Sequence, residues 1–178
     1  MTPVKRLVTA SICCALCVVL PIAFHSIPNA GSIFLPMHIP VLICGMICGW
    51  PYGLVCGLMG PLLSSALTGM PPIAILPAMM LECGTYGMVS GIVLKLVHTK
   101  STYGDLYIAL VIAMLAGRIV WGIVRVVLSG VSGAAFTWAA FMAGAFTQAI
   151  PGIILHIVLI PVIVLALQKA LPWRKAHK

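Results

Sequence analysis

The stretch LPMHIPVLICGMICGWPYGLVCGLMGPLLSSALTGMPP, residues 35–72, decides how the rest of the chain is read. Apart from His38 it holds no acidic or basic side chain, yet prolines and glycines interrupt it too often for one clean membrane helix. Its pattern predicts two short apolar segments and a re-entrant-looking return. Non-helical backbone at membrane depth survives only where protein or a watery cavity surrounds it, so this stretch is a candidate wall of a binding cavity.

Working outward, the remaining sequence is almost as apolar. Of 178 residues, 62% are hydrophobic and 7% charged, with a mean hydropathy of +1.21. A water-soluble domain of this size needs more polar surface, which makes the chain an integral membrane protein. Long apolar runs without an alternating polar face argue for helices rather than a barrel. The fold class expected is therefore an all-α membrane protein, with residues 1–178 forming one integral membrane domain.

Six segments can be drawn, at about 5–24, 37–49, 52–67, 74–96, 105–129 and 138–168. A cleaved signal peptide competes for the first, since a basic start precedes an apolar run. No small-residue cleavage site follows, and Pro21 and Pro28 fit such a leader poorly, so the segment is retained as a helix. Segments two and three are short for independent spans. Pro151 and Pro161 should kink the sixth. The net charge of +8 sits at Lys5 and Arg6, Lys95 and Lys100, and Lys169, Arg174, Lys175 and Lys178. These are membrane flanks, which excludes nucleic acid as the reason for the charge and places both termini in the cytoplasm.

Seven cysteines, at positions 13, 14, 17, 44, 48, 56 and 83, all lie in apolar sequence and read as small hydrophobes rather than disulfides. Cys13, Cys14 and Cys17 have metal-like spacing but no histidine or carboxylate nearby, so no metal is expected. Ser11 and Ala15 form a small-xxx-small pair, suited either to packing within the chain or to a docking groove for a partner helix.

Four ionisable residues stand out at or near membrane depth: Glu82, Arg118 and Arg125, with His38 at an entrance. Each is costly there unless paired or in a polar cavity. Glu82 and Tyr86 share one helical face, as do Arg118, Trp121 and Arg125. At about 1.5 Å per residue, Glu82 lies roughly 12 Å below the outer end of its segment and Arg118 roughly 16 Å below that of its own, a gap an arginine side chain can close. The pair either satisfies two buried charges, or some of these groups contact a ligand, with Arg118 or Arg125 offering a two-pronged fork to a carboxylate or phosphate. Arg125 could instead snorkel to the interface. Trp121, Trp138, Phe136 and Phe141 fit an aromatic belt as well as a stacking pocket. No H-E-x-x-H, G-x-S-x-G or Walker lysine loop is present, and only two carboxylates exist, which argues against an enzyme and for no cofactor.

The opening run, with MLECGTYGMVSGIVLK, AMLAGRIVWG and AGAFTQAIPGIIL, resembles the substrate-binding S components of bacterial energy-coupling factor (ECF) transporters, over about residues 7–167. The likeness is strongest in the HIPV and GMPP segments. It implies six transmembrane helices and an outward-facing cavity for a water-soluble vitamin, pantothenate or vitamin B6. It also implies partners: a transmembrane coupling protein and two ABC ATPases, whose ATP hydrolysis drives toppling of the S component in the bilayer. Carried over residue by residue, substrate contacts fall on His38, the 68–72 loop with Gly69, Met70 and Pro71, and Glu82, Tyr86, Arg118, Trp121, Arg125 and Gln148. Ser11 and Ala15 hold the positions of the family's A-x-x-x-A coupling motif. A small stand-alone secondary transporter or channel acting as an oligomer is the alternative.

Overall fold

A computed structural model describes residues 1–23, 34–99, 101–132, 137, 142 and 150–170. Six helices are described: α1 (Pro3–Ala23), α2 (His38–Cys48), α3 (Trp50–Thr68), α4 (Leu76–Leu96), α5 (Thr102–Ser132) and α6 (Ile150–Ala170). Their order matches the six segments of the sequence. By length and composition, Pro3–Ala23, Thr102–Gly130 and Ile150–Leu167 are long and apolar enough to cross a membrane.

The short helix α2 is the centre of the packing. All eleven of its residues are buried, and it touches α1, α3, α4 and α6. Eleven residues at about 1.5 Å each reach only half of a bilayer's apolar thickness, so this helix lies within the bundle rather than across the membrane alone. α3 runs to 19 residues, longer than expected from sequence, because Trp50 and Pro51 belong to its first turn. Proline suits that position, where the missing N–H has no helical acceptor.

Gly49 joins α2 to α3 at φ 98°, a backbone region closed to residues with a Cβ, so the chain reverses in one residue. The hairpin then meets α4 backbone to backbone. A Cβ on Gly53 would collide with the Gly87 carbonyl, one on Gly57 with the Cys83 carbonyl, and one on Gly91 with Trp50. Close approach of this kind is how apolar helices gain contact where lipid competes equally for their side chains.

α1 buries only Ala10, Cys13 and Cys17 and turns Leu7, Ile12, Leu16 and Val19 outward. All seven cysteines are free thiols. Cys17 packs into the space left by Gly60, the role of a small hydrophobe. At the other end of the chain, the sixth segment was expected from residue 138, but residues 138–141 and 143–149 lie outside the described ones. Pro161 is inside α6 as expected. Pro151, expected as a second kink, stands beside residues 143–149, which lie outside the described ones.

Candidate functional site

Four of the sequence-derived residues converge on one buried polar centre. Glu82 and Tyr86 stand one turn apart on α4, and the Tyr86 hydroxyl donates to Glu82 Oε1 at 2.8 Å. Arg118 of α5 reaches the same oxygen with Nη1 at 3.1 Å. His38, the first residue of α2, brings Nε2 to 3.6 Å from Glu82 Oε2, an ion-pair separation rather than a hydrogen bond. Its ring rests edge-on against Tyr86, centroids 5.0 Å apart. None of the four is more than 5% exposed.

Gly117 explains how α5 comes close enough. A Cβ there would overlap the Cδ1 and Cε1 edge of the Tyr86 ring. One turn of α5 thus supplies both the slot for the tyrosine and the cation for Glu82.

The centre is only partly satisfied. Arg118 Nε and Nη2, and both ring nitrogens of His38, are buried without a hydrogen-bond partner. Leaving such atoms unpaired costs about 1–3 kcal/mol each, more where charge is involved. In a guanidinium, Nε–H and one Nη form the side-on edge that grips a carboxylate with two parallel bonds. Glu82 therefore occupies one nitrogen of Arg118, and that edge is left open.

His156 completes the centre and was missed from sequence. It is 1% exposed, its ring centroid lies 6.1 Å from that of His38, and Nε2 is 3.3 Å from the Leu35 carbonyl oxygen. The signal was available, as the single ionisable side chain in IPGIILHIVLIP. It belonged with Glu82, Arg118 and His38 among the polar residues that must be accounted for at depth.

Trp121 and Arg125 are half-buried further along α5, with Arg125 Cζ 5.9 Å from the Trp121 ring. Gly69, at φ 73°, ends α3. The loop behind it is folded onto that helix end: Ser64 donates to the Met70 carbonyl at 2.7 Å and Ser65 to the Pro71 carbonyl at 2.8 Å. Met70 is exposed and Pro71 buried. Gln148 lies outside the described residues. Among the described residues, no group of three or more His, Cys, Asp or Glu side chains is arranged to hold a metal ion.

Ser11 and Ala15 face a different feature. They line an apolar groove of about 820 Å³ between α1 and α3, with Cys14, Val55 and Met59 among its walls. Both are exposed.

No curated protein and no solved structure matches the chain significantly. The sequence model of the family described as "ECF transporter, substrate-specific component" matches residues 5–164, which takes in nearly all of α1, the whole of α2 to α5, most of α6, and every residue of the polar centre. Membership carries a coarse function with it: family members are substrate-binding components of membrane transport, not enzymes. On that match, this chain belongs to the substrate-specific component family of ECF transporters.

Proposed function

We propose that the chain captures a water-soluble vitamin bearing a carboxylate, pantothenate foremost, in the bacterial plasma membrane. The single observation that carries this reading is the open side-on edge of Arg118, buried beside two unpartnered nitrogens of His38. Buried donors of this kind favour an oxyanion that can take them in parallel. Glu82 remains held by the Tyr86 hydroxyl while the ligand approaches from the far side of the guanidinium. In this reading all six helices lie in the bilayer, α2 reaching through only part of its depth, both termini are cytoplasmic, and the centre faces outward. The small residues Ser11 and Ala15 open the groove beside α1 to a helix of the coupling protein. Two ABC ATPases bound to that protein hydrolyse ATP and drive toppling.

A second reading, vitamin B6, is favoured by the neighbouring rings of His38, Tyr86 and His156, which suit an aromatic ligand. Purified protein should be stabilised by one B-group vitamin in a thermal-shift screen, because a ligand that binds only the folded state raises the melting temperature. Absence of stabilisation by every B-group vitamin would overturn the proposal. Reconstituted alone in vesicles, the protein should bind the vitamin without moving it. Accumulation without ATP would favour the stand-alone transporter.

A further inference from the structure

Three features meet at Leu35. It is a leucine in the left-handed region at φ 50°, where a residue with a Cβ rarely sits unless its surroundings hold it. Its carbonyl accepts two bonds, from the His38 backbone N–H at 3.0 Å and from His156 Nε2 at 3.3 Å. It also begins the turn through Pro36 and Met37 that delivers His38 as the first residue of α2. A carbonyl oxygen can only accept, so the His156 ring carries its hydrogen on Nε2. The bond joins α6 to that turn across 121 positions of sequence, and α1 holds the same turn where the Cys17 thiol approaches the Met37 carbonyl at 3.6 Å.

We propose that His156 is a positioning residue of the binding site: its Nε2–H holds the Leu35 carbonyl, which keeps the left-handed turn closed and sets His38 against Tyr86 and Glu82. The inference rests on reading the Glu82 centre as the vitamin site. If His156 served only to fill space, ring bulk would suffice and the donor would be dispensable.

Two variants separate these roles. His156→Phe keeps the bulk and removes the donor; His156→Gln returns an amide N–H close to the place of Nε2. In vitamin-free protein, hydrogen exchange of the His38 amide should speed about tenfold or more in the Phe variant and stay near wild type in the Gln variant. In calorimetry with pantothenate and with pyridoxine, whichever binds wild type should bind the Phe variant about tenfold more weakly and the Gln variant almost normally. On a His38→Ala background the Phe substitution should add no further loss, since its effect passes through His38.

Wild-type exchange in the Phe variant overturns the proposal, and so does equal weakening in both variants. A full additional loss on the His38→Ala background does the same. A Phe variant that fails to fold beside a folded Gln variant would make the bond a general structural tie, which also refutes the positioning role. If wild type binds neither vitamin, the reading of the site fails, and the exchange measurement still decides whether His156 holds the turn.

Discussion

Replacing Arg118 by lysine tests the anion site most directly, because it keeps the charge and removes the fork. A lysine ammonium is a point donor and cannot offer two parallel N–H groups to one carboxylate. Hydrogen bonds to charged groups contribute about 1.5–3 kcal/mol each, so losing one arm of the fork should weaken pantothenate binding by about ten- to a hundredfold. Glu82 keeps a cation beside it, which spares the variant the loss of about 3–5 kcal/mol expected when Arg118→Ala leaves a buried carboxylate unpaired. Glu82→Gln should act in the opposite direction. A ligand carboxylate on the open edge would sit about 6 Å from Glu82, and at an effective dielectric near 20 their repulsion is about 3 kcal/mol. Removing the competing charge should tighten pantothenate about tenfold or more, even as the free protein loses stability, because Arg118 is then uncompensated. Isothermal calorimetry on detergent-purified protein gives both numbers, with pyridoxine, which has no carboxylate, as control. Unchanged binding in Arg118→Lys refutes the fork. Weakening in Glu82→Gln comparable to that in Arg118→Lys refutes the competition and makes Glu82 a ligand contact.

Two further outcomes follow from packing. Gly117→Ala should lower the melting temperature by several degrees, since forcing a methyl group against the Tyr86 ring costs about 1–3 kcal/mol; on a Tyr86→Leu background the same substitution should cost little, and an equal cost in both backgrounds would show that Gly117 serves something other than the tyrosine slot. Ser11→Leu with Ala15→Leu should leave vitamin affinity of the isolated protein unchanged, because the α1–α3 groove and the polar centre have no lining residue in common, while abolishing ATP-driven uptake when the coupling module is supplied. Normal uptake by that double variant would remove the groove from the coupling step.

The helices were legible where local chemistry alone defines them. Within residues 35–72, Gly49 and Gly69 end helices where residues with a Cβ would be strained, although α3 carries Pro61 and three glycines inside it. What the pattern could not give is the part each piece plays in the bundle. The ten apolar residues after His38 look the same facing lipid or facing protein, since both are apolar; the burial of all eleven residues of α2 and the backbone contacts of Gly45, Gly53 and Gly87 show that it is enclosed.

The site divides along similar lines. Glu82 and Tyr86 were readable because both partners lie one turn apart on a single helix. The Glu82–Arg118 pair was readable across helices because formal charge in an apolar bundle is scarce, so the few charges present must find one another. His156 escaped although His38 was singled out, because no charged partner in the sequence drew attention to it, and a histidine needs no charge to be costly when buried. Its requirement is for hydrogen-bond partners, and its observed partner is a backbone carbonyl, present at every residue and therefore invisible as a pattern. An accounting of hydrogen-bonding capacity rather than charge would have singled it out, along with the unmet donors of Arg118 and His38. Those donors and His156 describe one arrangement. In the proposed reading the groups that lack partners face a ligand, and the histidine that has one holds the turn from which His38 reaches in.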